Sequence, residues 1–235
     1  MEFQTPLHPA RLLRRYKRFL ADVVLEDGSE TTVHCPNPGA MTGLATPGSR
    51  IWIEPAGPGR KLAFGWRLVE LPGGHLAGID TGVPNRIVAE ALAARTIPEL
   101  ASYINVRPEQ RYDTASRIDF LLSGPGLPDA YVEVKNVHLC RTGSLAEFPD
   151  CVTARGTRHL EALARVAATG ARAVMLYVVQ RSDCDRMTLA ADIDPAYAAA
   201  FKHAHAAGVQ MLCHATSLST TTISLDRPLP VSLPQ

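Results

Sequence analysis

Residues 117–135 read RIDFLLSGPGLPDAYVEVK. Two short apolar runs, Ile118–Leu122 and Ala130–Val134, flank a turn rich in glycine and proline, which predicts a β-hairpin. Successive side chains of a strand point to opposite faces, so Asp119 points away from Ile118 and Phe120. On the second strand Glu133 and Lys135 share one face, and Val132 and Val134 take the other. A register that sets Asp119 opposite that pair gathers two carboxylates and one ammonium on one side of a sheet. Burying such a group without a ligand is costly. Two hard oxygen donors with room for water suit Mg²⁺ or Mn²⁺, ions that keep waters and bind phosphate oxygens.

Asp, a spacer and Glu-X-Lys resembles the pattern of the PD-(D/E)XK nuclease superfamily. Taken alone, the pattern also describes an edge strand carrying solvated charge, so the rest of the chain decides its weight. Upstream, the spacing predicts a helix over about Asn85–Arg95, with Ile87, Ala91 and Ala94 as its apolar face. Glu90 borders that face. It is either an ordinary boundary residue or a third acidic group aimed at the metal. Downstream, Arg141–Pro149 reads as a loop. A helix follows over about Thr153–Ala168, with Leu160, Leu163, Ala164 and Ala167 toward a core and a stop at Gly170. Arg155 and His159 lie four apart and share a face. Arg158 and Arg165 add positive charge, which suits an anionic substrate such as a phosphodiester; a solvated helix face is the alternative.

Ala173–Val179 is a continuous apolar run, as in a strand buried on both faces, and Gln180 ends it. A helix over about Pro195–Ala207, a strand Val209–His214 and a last strand Thr220–Leu225 complete the chain, with Pro228, Pro230 and Pro234 extending the tail. The order predicts an α/β/α domain with a mixed sheet and helices on both faces. Its boundary falls in the turn-rich Asp80–Pro84, giving domains 1–80 and 81–235.

The first domain reads as a small barrel of five strands: Phe19–Leu25, Thr31–Cys35, Arg50–Glu54, Lys61–Leu71 and His75–Ile79. Turn residues separate them, and no helical pattern intervenes, which suggests an SH3-like or OB-type barrel. Ahead of it stands RLLRRYKRF, where Arg11, Arg14, Arg15, Lys17 and Arg18 interleave with Tyr16 and Phe19. Such a stripe neutralises phosphates and can stack bases; a solvated strand covering the barrel is the alternative. Arg60 and Lys61 add positive charge in a loop.

Composition sets the bounds. The 235 residues carry a formal net charge of +1 and 20% charged residues, so any basic surface is local rather than global. No apolar run is long enough to span a bilayer and Met1–Pro9 does not read as a signal peptide, so no membrane partner is expected. Five cysteines without C-x-x-C spacing fit a reducing cytoplasm better than a disulfide framework or zinc ribbon. His34-Cys35 and Cys213-His214 sit in apolar runs and read as core or strand residues.

Five stretches together resemble the sugar fermentation stimulation protein A (SfsA) family over nearly the whole chain: RRYKRFLADV, HCPNPGAMTGL, PNRIVAEAL, RIDFLL…YVEVKNVHL and FPDCVTARGTRHLEAL. Pro38, Ala40, Cys151 and Arg158 depart from the usual family residues, as does the segment before Ile193, but no acidic residue and not Lys135 is lost. The resemblance implies an N-terminal OB-like domain joined to a PD-(D/E)XK nuclease-like domain. It also implies a DNA-binding protein linked by name to sugar (maltose) fermentation genes. On this reading Asp119 and Glu133 hold Mg²⁺ or Mn²⁺, with the Val134 carbonyl and Glu90 completing the shell. Lys135 orients the attacking water or stabilises the phosphate, and Arg155 and His159 contact phosphate. A non-cleaving DNA-binding regulator, using Arg11, Arg14, Arg15, Lys17 and Arg18, is the alternative. A sugar-binding protein lacks an aromatic-rich signature at 6% aromatic content. The sequence does not choose between single- and double-stranded DNA. A homodimer would ease cleavage of both strands, though no interface signature is visible.

Overall fold

The computed structural model describes residues 1–111 and 117–232, so Pro234 of the predicted tail lies outside the described residues. The barrel begins one strand earlier than the sequence predicts. The basic run is itself strand β1 (His8–Tyr16), not a segment ahead of the barrel. Its alternation is carried by Ala10 and Leu12, which are buried in the barrel core, and the arginines around them mask that pattern. Lys17 and Arg18, both at positive φ, turn the chain into β2 (Leu20–Leu25). Then come β3 (Glu30–His34), β4 (Arg50–Pro55) and β5 (Phe64–Glu70). β1 pairs with both β2 and β4, and a parallel bridge from His34 to Gly65 joins β3 to β5, closing a five-stranded barrel of OB type. The predicted strand at His75–Ile79 is β6 (Leu76–Gly78), which extends β5 without belonging to the closed ring. Leu12, Val23, Val33, Ile51, Ile53 and Trp66 fill the interior.

The second domain is a mixed sheet between helices. Helix α1 (Val83–Ala93) leads into β7 (Asn105–Arg111), a strand the polar sequence NVRPEQR conceals. The predicted hairpin is β8 (Arg117–Ser123) and β9 (Ala130–Val137). The segment read as a loop over Arg141–Pro149 is instead a second hairpin, β10 (Leu139–Thr142) and β11 (Leu145–Phe148). Gly143 at positive φ makes its turn, and Arg141 clamps it by hydrogen bonds to Glu147 and Asp192. Helix α2 (Ala154–Ala168), β12 (Arg172–Val179), β13 (Arg186–Leu189), α3 (Pro195–Ala206), β14 (Gln210–Leu218), β15 (Ile223–Pro228) and β16 (Val231–Ser232) follow.

The main sheet runs β15-β14-β12-β9-β8-β7, with β12 parallel to β9 and β14 and the other pairs antiparallel. α1 covers one face through Ile87, Val88 and Leu92 over Phe120, Val132 and Leu176. α2 and α3 cover the other through Leu160, Leu163 and Phe201 over Met175 and Tyr177. β10, β11, β13 and β16 form a smaller four-stranded sheet.

Polar groups join the two domains. The Asn37 amide of the barrel donates to the Ile79 carbonyl and lies 3.3 Å from His138 Nδ1 at the end of β9. Gln180 Nε2 donates to the Asp80 carbonyl and to Asn136 Oδ1. Asp150 Oδ2 accepts the Ala40 N–H of the barrel. Burial lowers the pKa of His138 to about 4, so its ring is neutral at ordinary pH.

Candidate functional site

The site forms where β8 and β9 part. Their ladder pairs Leu122 with Ala130, Leu121 with Tyr131 and Phe120 with Val132. One position further, a side chain takes over from the backbone: Asp119 Oδ2 accepts the Val134 N–H at 2.7 Å. Asp119 Oδ1 accepts from the Asn85 amide of α1 at 2.8 Å. The Asp119 carboxylate therefore fills the gap between the strands and is held from the α1 side, rather than standing squarely on the Glu133 face as simple alternation predicts.

Glu133 faces α2. Its Oε1 accepts from Lys135 Nζ at 2.6 Å and from His159 Nδ1. Arg155 Nε lies 3.3 Å from His159 Nε2 and donates to it. With Nε2 accepting, the ring proton sits on Nδ1, which points it at Glu133. The predicted pair Arg155 and His159 thus does share a face, but in series: Arg155 orients His159, and buried His159 holds Glu133. Gly156, one residue on, has its N–H capped by Thr153 Oγ1 and packs against Tyr197, which seats the first turn of α2 beside the sheet.

The two carboxylates are tuned apart. Burial raises the pKa of Asp119, and the neighbouring charge of Glu133 raises it further, against the Val134 N–H, Asn85 and Lys135. Burial also works against Glu133, but the His159 hydrogen bond and the Lys135 charge outweigh it and hold its carboxyl low. Glu133 is 3% exposed, yet its second oxygen, Oε2, is buried with no hydrogen-bond partner among the described residues. A buried carboxylate oxygen without a donor is an uncompensated charge. Asp119 and Glu133 are the residues that could hold a cation there. Among the described residues no three His, Cys, Asp or Glu side chains form a ready metal cage. The donor set is two carboxylates and backbone, which matches an ion that retains most of its waters, as Mg²⁺ does.

Glu90 stands elsewhere. Its carboxylate pairs with the Met1 amine at 2.6 Å and its side chain is 55% exposed. Five residues separate it from Asn85, a rotation of about 140° around the helix, so the two cannot face the same strand. Arg158 is exposed on α2. In β1, Arg14 is bound to Asp22 and lies over the Tyr16 ring. Arg15 donates to the carbonyls of Arg18, Asn37 and Gly39, and Arg11 to that of Gly48. Lys17 and Arg18 at the turn make no side-chain hydrogen bond or ion pair among the described residues. Burial raises the pKa of Cys151, just before α2, and the neighbouring Asp150 raises it further. All five cysteines are free thiols. Among the described residues no helix is long and apolar enough to cross a membrane.

Sequence pattern alone does not single out Asn85 as a site residue. A half-buried polar residue amid the apolar Val83, Pro84, Ile87 and Val88 is the signal that points to it. The contribution of the Val134 N–H depends on strand separation, which no residue pattern announces.

Comparison with known proteins covers both domains. Residues 13–79 match the model described as "SfsA N-terminal OB domain", and residues 82–222 the model "Sugar fermentation stimulation protein RE domain". Among relatives, the chain is 63% identical to the sugar fermentation stimulation protein homolog of Jannaschia sp., over 98% of this chain and 97% of that one. It is 62% identical to the homolog of Dinoroseobacter shibae, over 98% and 96%. A solved structure, "The structure of Pyrococcus Furiosus SfsA in complex with Ca2+", is similar with a TM-score of 0.87 and 28% identity, covering 99% of this chain and 98% of that chain.

Proposed function

The chain belongs to the sugar fermentation stimulation protein (SfsA) family, and from that premise we propose that it is a divalent-cation-dependent nuclease of PD-(D/E)XK type acting on DNA. The observation that carries the reading is the buried Oε2 of Glu133, which has no hydrogen-bond donor among the described residues, close enough to Asp119 for its charge to raise that carboxyl's pKa. The related protein whose description names Ca²⁺ supports it. Asp119 and Glu133 are the residues that would hold Mg²⁺ or Mn²⁺. A cation bound there would lower the pKa of a bound water and polarise a phosphoryl oxygen.

The protein's own groups supply the rest. Lys135, 15% exposed at its side chain and bound to Glu133, presents an ammonium at the mouth of the site, where it stabilises charge growing on a phosphate. With two carboxylates beside it, it acts as an electrostatic group and not as a base. His159 fixes Glu133, and Arg155 fixes His159 through Nε, which leaves its other guanidinium nitrogens for a phosphate. Exposed Arg158 of α2 offers a further phosphate contact. Glu90, committed to the Met1 amine, is left out of the cation's shell.

A second reading has a specific observation behind it. Glu133 Oε1 is already satisfied by Lys135 and His159, so the site holds together without chemistry, as in a DNA-binding regulator that keeps the fold but does not cut. The test is incubation of labelled single- and double-stranded DNA with the protein in Mg²⁺, Mn²⁺ or EDTA, beside Asp119→Ala and Lys135→Ala. Metal-dependent cleavage that both variants lose, on the order of 10²-fold or more, supports the nuclease. Binding without cleavage under every metal condition supports the regulator.

A further inference from the structure

A cavity of about 550 Å³ opens between the barrel and the start of α1. Its walls are the β4–β5 loop with Arg60 and Lys61, the aromatic Phe3 and Phe64, and Arg86 of α1. The charges inside are not balanced. Glu54 and Asp80 also line it, but Arg67 binds both at 2.8 Å, and Arg86 adds a 3.2 Å contact to Asp80. Arg60 and Lys61 are exposed, and their side chains have no hydrogen-bond or ion-pair partner among the described residues. Four cations thus face two carboxylates, and the surplus sits at the rim, beside two half-buried aromatic rings. This differs from β1, where Arg11, Arg14 and Arg15 are tied to protein acceptors. The cavity is also next to the carboxylate pair by way of α1: Arg86 lines it, and the preceding residue, Asn85, holds Asp119.

Free cations around flat aromatic faces, in a recess of ligand size, are what an unpaired nucleotide needs: phosphates reach the cations and a base finds a ring to stack on. A duplex keeps its bases inside and cannot use the rings. We propose that this cavity is a binding site for a single-stranded nucleic acid segment, with phosphates on Arg60, Lys61 and Arg86 and a base against Phe3 or Phe64. The proposal rests on the nucleic-acid reading above and locates the barrel's strand-binding surface on the α1 side, away from the β1–β2 turn.

The experiment compares a fluorescent twelve-residue oligothymidylate with a duplex of equal length, binding to the full chain and to Arg60→Ala/Lys61→Ala. An Arg107→Ala/Lys202→Ala variant, equal in charge change and remote from the cavity, serves as control. Manganese binding is measured on each protein. The cavity variant is expected to bind the single strand at least tenfold more weakly. Its dependence of log affinity on log salt should flatten by about 1.4, because two fewer phosphates are neutralised. Manganese binding should be unchanged and the control should stay within twofold of the parent. Unchanged single-strand affinity, a weakening equalled by the control, or an equal weakening for duplex overturns the cavity proposal and leaves the metal-site reading standing. If the parent protein binds no oligonucleotide at all, both fall.

Discussion

Asp22 in the barrel and Glu133 in the sheet are both carboxylates on strands, both close to a cation, and they are treated differently. Asp22 receives Arg14 and Thr32 at 2.8 Å and Tyr16 at 3.1 Å, and both of its oxygens have donors. Glu133 is more deeply buried, yet only one of its oxygens is served. The barrel's buried carboxylate, Glu54, is likewise satisfied by Arg67 and the Gln4 and Thr5 N–H groups. The barrel meets these acids with its own donors, whereas Oε2 of Glu133 has none among the described residues. The same contrast separates the cations: Arg11, Arg14 and Arg15 of β1 bind protein acceptors, whereas the side chains of Lys17, Arg18, Arg60 and Lys61 have no hydrogen-bond or ion-pair partner among the described residues.

The comparison can be broken most forcefully at Lys135. Lys135→Ala leaves Glu133 buried beside Asp119 with its cation gone, and should destabilise the protein by about 3 kcal/mol, read by denaturant unfolding. A change below about 0.5 kcal/mol would mean that Glu133 is not held as a buried charge. The next effect lies at the domain junction. Because burial lowers the His138 pKa to about 4, the unfolded chain binds a proton below pH 6.5 that the folded one refuses. Stability is therefore fully present above pH 6.5 and falls as pH drops toward about 4, by up to about 3 kcal/mol. Subtracting the pH profile of His138→Gln isolates this contribution, and identical profiles would contradict it.

Smaller effects sharpen the contrast between satisfied and open acids. Asp119→Asn removes a buried charge whose pKa is raised by burial and by Glu133, and Asn85 can flip its amide to match. The variant should gain about 1 kcal/mol at neutral pH while losing metal-dependent function. Asp22→Ala should do the reverse: lower the melting temperature by roughly 2–4 °C and leave cation binding alone. In the parent protein hydrogen bonds from Arg14 and Thr32 hold the Asp22 carboxyl low, so its contribution is present above the ordinary carboxylate range and disappears as pH falls below it.

Alternation and turn chemistry made the β8–β9 hairpin, α2 and buried β12 legible in the sequence, because each presents one strong period. What stayed hidden has physical reasons. β1 looked like a charged flank because arginines crowd the positions around Ala10 and Leu12. β7 is largely polar at the sheet edge, and the β10–β11 hairpin packs in a small side sheet with too few apolar residues to show a period. The acidic pair and lysine were visible as residue types. Their arrangement was not, since Asp119 reaches the Val134 N–H only because the strands separate. Glu90 looked like a third ligand because one-dimensional proximity to an apolar stripe does not give helical phase relative to the sheet.

The measurement that tests the central claim most directly is calorimetric titration of Mn²⁺ into the metal-stripped protein and into Glu133→Gln, which keeps the shape of the side chain. One site per chain in the parent, weakened tenfold or more in the variant, is the predicted result. Absence of binding in the parent, or equal binding in the variant, would contradict the assignment of the open Glu133 oxygen to a divalent cation.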